Sequence, residues 1–162
     1  MQDSKYDVQQ PVERQSTDAK SRAVQQLDTS ASSANALSGV ERASPKERIG
    51  KTNVLVFKDE VVLKIDNPQW AVFTDSNSMD PVIDSESKAI EIIPQSESDI
   101  QEGDIVAYES KIKKATVIHR IVFIGRDQTG WYALMKGDNN AYNDPEKVRF
   151  EQVKRVVVAI IY

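Results

Sequence analysis

Two serines in the turn Ser76-Asn77-Ser78-Met79-Asp80-Pro81, a lone histidine at position 119 and two aspartates at 138 and 144 are the residues that could do chemistry together. A serine hydroxyl is a weak nucleophile unless a neighbouring base takes its proton. The chain offers one imidazole for that task, His119, and Asp138 and Asp144 lie beyond it in an acid-rich turn. Nucleophile, base and orienting acid are the parts of a Ser-His-Asp relay, and chain order does not restrict it, because such relays occur in several orders. Each part also has a plain structural reading. The serines could satisfy a loop, the histidine could be a core residue with a backbone partner, and Gly137-Asp138-Asn139-Asn140 could be an ordinary turn of residues that tolerate positive φ.

Other chemistries are weaker. The chain has no cysteine, which excludes disulfides, thiol catalysis and cysteine-ligated zinc. Counted from Asp138, a calcium loop would need an oxygen ligand at Tyr142, a glycine at Asn143 and a glutamate at Arg149, and it fails at all three. No metal and no cofactor is expected. Lys and Arg number 21 against 25 Asp and Glu, a net charge of -4, so no global positive field recommends nucleic acid as a partner. No stretch approaches the roughly 18 to 20 apolar residues of a membrane span, and Met1 to Lys5 opens no secretory signal.

The elements that would position these residues read as strands. Residues 1–50 are rich in Ser, Gln, Ala and charges of both signs, and are expected to form a disordered tail or tether, with a weak helix at most over Thr17 to Leu27. From residue 51 onward the pattern is β. Val54–Phe57 and Val61–Ile65 flank the turn Lys58-Asp59-Glu60 as a hairpin. Trp70–Thr74 precedes the serine turn, and Ala89–Ile93, Asp104–Tyr108, Thr116–Ile124 and Trp131–Met135 follow it. The last run, Val153–Tyr162, holds six consecutive apolar residues, Val156 to Ile161, and suits a strand buried on both faces. Alternation places His119 on one face with Val117, Ile121 and Phe123. Residues 51–162 are therefore expected to form a mainly β, antiparallel domain, either a folded sheet or a partly closed barrel.

These residues together resemble the type I signal peptidases, in the branch found in archaea and the endoplasmic reticulum. Ser76-Asn77-Ser78-Met79-Asp80-Pro81 resembles that family's Ser-x-Ser-Met-x-Pro box, and Gly103-Asp104-Ile105-Val106 its Gly-Asp-hydrophobic strand. Val117-Ile118-His119-Arg120-Ile121-Val122 is similar to the box where this branch has histidine and the bacterial enzymes have lysine. Lys136-Gly137-Asp138-Asn139-Asn140 is similar to its Lys-Gly-Asp-Asn-Asn box, with Asp144 where a further aspartate falls.

The resemblance covers Trp70 to Tyr162 and implies a β catalytic domain of the signal peptidase and LexA-like type. It implies Ser78 as nucleophile, His119 as general base, Asp144 as the acid that orients it and Asp138 in support. Ser76 would join the Ser78 N–H in binding the oxyanion. The implied substrate is an extended, signal-peptide-like segment with small residues before the cleaved bond, bound as an added strand. The implied setting is the outer face of the cell membrane, with a membrane surface or an anchor subunit as a partner.

Two features depart from the family: no transmembrane segment precedes the serine box, and Asn77 stands where glycine is usual. Two further readings differ in class. A self-cleaving LexA-like regulator would pair serine with lysine and carry a DNA-binding helical domain, and residues 1–50 have neither a helix-turn-helix pattern nor a basic patch. A non-catalytic peptide-binding β-module would have no need of all four of Ser78, His119, Asp138 and Asp144.

Overall fold

The alternating and β-branched runs pair as strands with antiparallel neighbours throughout. A computed structural model describes residues 41–162; the weak helix expected over Thr17 to Leu27 lies outside the described residues. The expected hairpin forms as β1 (Val54–Val56) and β2 (Val61–Leu63), a two-stranded sheet of its own. The other strands are β3 (Gln69–Val72), β4 (Lys88–Ile92), β5 (Ile105–Ser110), β6 (Ala115–Asp127), β7 (Gly130–Lys136) and β8 (Val153–Ile161). They form one six-stranded sheet in the order β3-β4-β8-β5-β6-β7. The expected mainly β, antiparallel domain is found, and its six-stranded sheet does not close into a barrel.

The C-terminal run earns its central place. β8 lies between β4 and β5, and Val156 and Val157, neighbours that point to opposite faces, are both buried. They belong to different clusters. Val156 joins Val106, Tyr108, Ile121, Trp131 and Met135 in the main core. Val157 joins Met79, Ile83, Ala89 and Ile105 on the other face. Full burial of such side chains is worth roughly 1.5 to 3 kcal/mol each, which is why the sheet, and not its loops, fixes the frame.

One alternation fails. Val117, His119 and Ile121 face the main core, but β6 slips register between Ile121 and Phe123, where Val122 has no partner on β7. A bulge of one residue exchanges the faces beyond it. Ile124 then turns inward, while Phe123 is exposed and lies against Tyr132 with ring centroids 6.1 Å apart. Phe123 is therefore not on the face of His119 as its spacing implies.

Part of the segment assigned to the tail is tied to the sheet domain. Asp104, fully buried, accepts Arg48 Nη1 at 2.8 Å and the Lys46 N–H at 2.9 Å on Oδ1. Its Oδ2 accepts Arg48 Nη2 at 2.7 Å and the Gln101 N–H at 2.8 Å. Lys46 Nζ reaches Ser98 O at 2.8 Å, and Gln101 Nε2 reaches Ser44 O at 3.0 Å. Gly103, at φ 94, lets this strap lie close, since a Cβ there would collide with the backbone of Ala43 and Ser44. A boundary at residue 50 thus falls inside a hydrogen-bonded segment. Composition hides it because the strap is held by polar contacts and not by apolar burial.

Candidate functional site

Ser78 stands at the start of a turn whose next residue is an anchor. Met79 is 2% exposed and Ile83 is 4% exposed, and both enter the second core cluster. The amides of Val82 and Ile83 bond back to Met79 O at 2.9 and 3.0 Å, closing the turn behind it. The methionine of the serine box therefore serves as a plug that fixes where Ser78 sits. Asn77 has φ 54, the left-handed region that asparagine enters more readily than most residues, so it holds this turn at little cost.

The serine turn is laced to the turn after β7. The Asn139 N–H donates to Ser78 O at 3.0 Å, and Asn139 Nδ2 donates to Asn77 O at 2.9 Å. Gly137 allows the approach: a Cβ at that position would collide with Ser78 O. Gly137 and Asn139 of this turn are thus explained by contact with the serine loop.

His119 lies on β6 opposite Val106 of β5 and is 1% exposed. Its Nδ1 is 2.6 Å from Asp144 Oδ2, and the Tyr108 hydroxyl donates to the same oxygen at 2.7 Å. The Asp144 N–H bonds to Met135 O at 2.7 Å, which fixes the carboxylate to the end of β7. Burial pushes the Asp144 carboxyl up, but the hydrogen bonds from His119 and Tyr108 and the attraction of His119 together hold it below the ordinary carboxylate range. Burial, followed by the bond to Asp144, pushes the Tyr108 hydroxyl well above its ordinary value, so it stays a donor.

Asp138 goes elsewhere. It makes a two-pronged ion pair with Arg120, at 2.7 Å from Nε and 2.6 Å from Nη2. Arg120 Nη1 also holds Gly103 O at 2.8 Å. Of the two aspartates, Asp144 contacts the imidazole, and Asp138 clamps the residue next to it in sequence.

The structure thus assembles two groups. His119, Asp144 and Tyr108 form one. Ser76, Ser78 and the turn carrying Asp138 form the other, with Ser76 Oγ 3.3 Å from Ser78 Oγ. Among the described residues no hydrogen bond joins Ser78 Oγ to His119, whose Nε2 is left without a partner. The Ser78 N–H is likewise uncommitted among the described residues.

A cleft of about 300 Å³ lies beside the serine turn, lined by Ala71 and Phe73 from β3 and its end, Ser76 and Met79 from the turn, Ile118 of β6 and Glu91 of β4. Among the described residues no group of three His, Asp or Glu side chains gathers as a metal ion would need. No described helix is long and apolar enough to cross a membrane. Comparison with protein families, curated proteins and solved structures finds no match.

Three contributors escape the sequence reading. Tyr108 looks like a core residue in the apolar run Ile105 to Tyr108, and nothing local announces that its hydroxyl meets Asp144. Arg120 carries a readable signal, a cation inside a long apolar strand, which needs a carboxylate when half-buried. Glu91 reads as the polar face of β4.

Proposed function

We propose that the chain is a serine endopeptidase resembling signal peptidase I, cleaving extended, signal-peptide-like segments after small residues. The observation that carries this reading is the pair His119–Asp144: a buried imidazole held through Nδ1 at 2.6 Å, with Nε2 uncommitted. A hydrogen bond from Nδ1–H to a carboxylate selects the tautomer whose Nε2 is a free acceptor, the form a general base requires.

In this mechanism Ser78 Oγ attacks the scissile carbonyl carbon while His119 Nε2 takes its proton. Asp144 stabilises the imidazolium that results. The negative oxygen of the tetrahedral intermediate accepts from the Ser78 N–H and the Ser76 hydroxyl, a type of contact worth roughly 3 to 4 kcal/mol of barrier in serine proteases. Collapse breaks the C–N bond, and His119 returns its proton to the departing amine. Water, activated by the same imidazole, then frees the acyl group from Ser78.

Substrate selection follows from the cleft. Ala71 and Val72 belong to β3, an edge strand of the six-stranded sheet with one unpaired side. An extended peptide added along that edge would turn alternate side chains into the cleft. The preference for a small residue next to the cleaved bond rests on the resemblance of the serine turn to the signal peptidase box, and the cleft beside Ser76 and Met79 is where that residue would sit. Cleavage of such a peptide by the purified chain, with loss of turnover in Ser78→Ala and in His119→Ala, is the expected result. Unchanged turnover in either variant would remove the proposal.

One observation favours a peptide-binding module without turnover: Ser78 Oγ has Ser76 Oγ as its partner, not His119. Catalytic hydrogen bonds are often loose before substrate arrives. Covalent labelling of Ser78 by an acylating peptide separates the two readings, since a binding module would leave it unmodified.

A further inference from the structure

Glu91 stands out in the cleft because every other side chain that lines it is apolar or carries a hydroxyl. It lies on β4 opposite Val157 of β8 and shares its face with Ala89; both neighbours are members of the second core cluster. Only 6% of Glu91 is exposed, and among the described residues its carboxylate makes no hydrogen bond and no ion pair. Its oxygens are not sealed in, because the sole buried side-chain atom without a partner among the described residues is Asp80 Oδ1. The Glu91 carboxylate therefore opens onto the cleft. Burial pushes its pKa up, and the field of Arg155 partly opposes that. Arg155 spends a donor on Lys154 O and forms no ion pair with Glu91.

A desolvated, unpaired carboxylate disfavours whatever apolar group is placed against it and favours a donor. Arg155 already supplies positive charge nearby, so a second cation gains less there than a neutral donor does. We propose that Glu91 is a specificity-determining residue that selects, in a peptide occupying this cleft, a neutral hydrogen-bond-donating side chain such as threonine over an apolar one of the same size. The proposal rests on the reading of the cleft as the seat of an extended peptide. In such a peptide the residue beside the cleaved bond and the residue two before it face inward together. The first must sit by Ser78, which leaves the third residue before the bond to meet Glu91.

Threonine and valine are the probe, because they share a shape and differ by one hydroxyl. Peptides with alanine before the cleaved bond and either Thr or Val at the second, third or fourth position before it are titrated against the full chain carrying Ser78→Ala. That variant makes the readout binding and not turnover. The expected result is about tenfold tighter binding of the Thr peptide at the third position, with the preference lost in Ser78→Ala combined with Glu91→Leu and reduced with Glu91→Gln, which keeps the size. Equal binding, a Val preference, a Thr preference that survives both substitutions at Glu91, or no binding of any peptide would overturn it. A Thr preference that depends on Glu91, found in a chain whose unsubstituted form cleaves none of the peptides, would sustain this proposal and overturn the peptidase reading alone.

Discussion

Asp144 Oδ2 receives two donors at once, His119 Nδ1 at 2.6 Å and the Tyr108 hydroxyl at 2.7 Å. The three side chains come from β6, from the loop after β7 and from β5, so the arrangement depends on the register that sets Tyr108 opposite Val117 and His119 opposite Val106. The shared oxygen fixes the ring plane of His119 and its tautomer together.

Asp144→Asn should lower kcat by about a thousandfold or more while leaving peptide binding in place, since the amide favours the wrong tautomer. Its acid behaviour gives a second check. The carboxyl of Asp144 is held below its ordinary value in the folded chain, so it contributes stability that is complete above about pH 4 and is lost as pH falls below that. Urea titrations from pH 6 down to pH 3 should show a smaller acid loss in Asp144→Asn than in the unsubstituted chain.

Tyr108→Phe removes a hydroxyl and little volume from a fully buried site. A hydrogen bond to a charged group is worth about 1.5 to 3 kcal/mol, so kcat/KM should fall by about ten- to a hundredfold. The chain has one histidine, so the imidazole resonances in NMR report on that site alone. They should move in Tyr108→Phe and stay in place in a substitution on the far side of the sheet, such as Lys154→Ala.

Gly137→Ala tests the contact between the two turns. The added Cβ meets Ser78 O, and the backbone must give way. The expected outcome is a loss of kcat of about a hundredfold, as for a nucleophile misplaced by about 1 Å, with the His119 resonances unchanged. A fully active Gly137→Ala protein would mean that the serine turn is not held where this contact places it.

Arg48→Ala should destabilise the domain by about 3 to 5 kcal/mol, the cost of leaving a buried charge unpaired. Asp104 is fully buried and would lose both hydrogen bonds from Arg48, keeping only the backbone donors of Lys46 and Gln101. Chemical denaturation measures it. A change below about 1 kcal/mol would mean that the strap is ornamental to the fold.

The strands were legible because β-branched and alternating runs have few other ways to hide apolar surface. The paired burial of Val156 and Val157 follows from a run too apolar for a one-faced strand. Phe123 was misplaced because a bulge at Val122 exchanges faces, and period-2 reasoning has no term for an unpaired residue. The pairing of His119 with an aspartate was legible because a lone histidine among few nearby carboxylates narrows its partner to Asp138 or Asp144, and Asp144 is the one in contact. Their company was not. Strand register sets Tyr108 against Asp144 and places Glu91 in the cleft, and Arg48 reaches Asp104 across a long separation in the chain.

The most direct measurement of the central claim is the mass of a signal-peptide-like substrate, with alanine before the expected bond, after incubation with the purified chain and with Ser78→Ala. Two fragments split after the alanine are expected in the first case and intact peptide in the second. The same fragments from Ser78→Ala at an undiminished rate, or intact peptide from both, would contradict it.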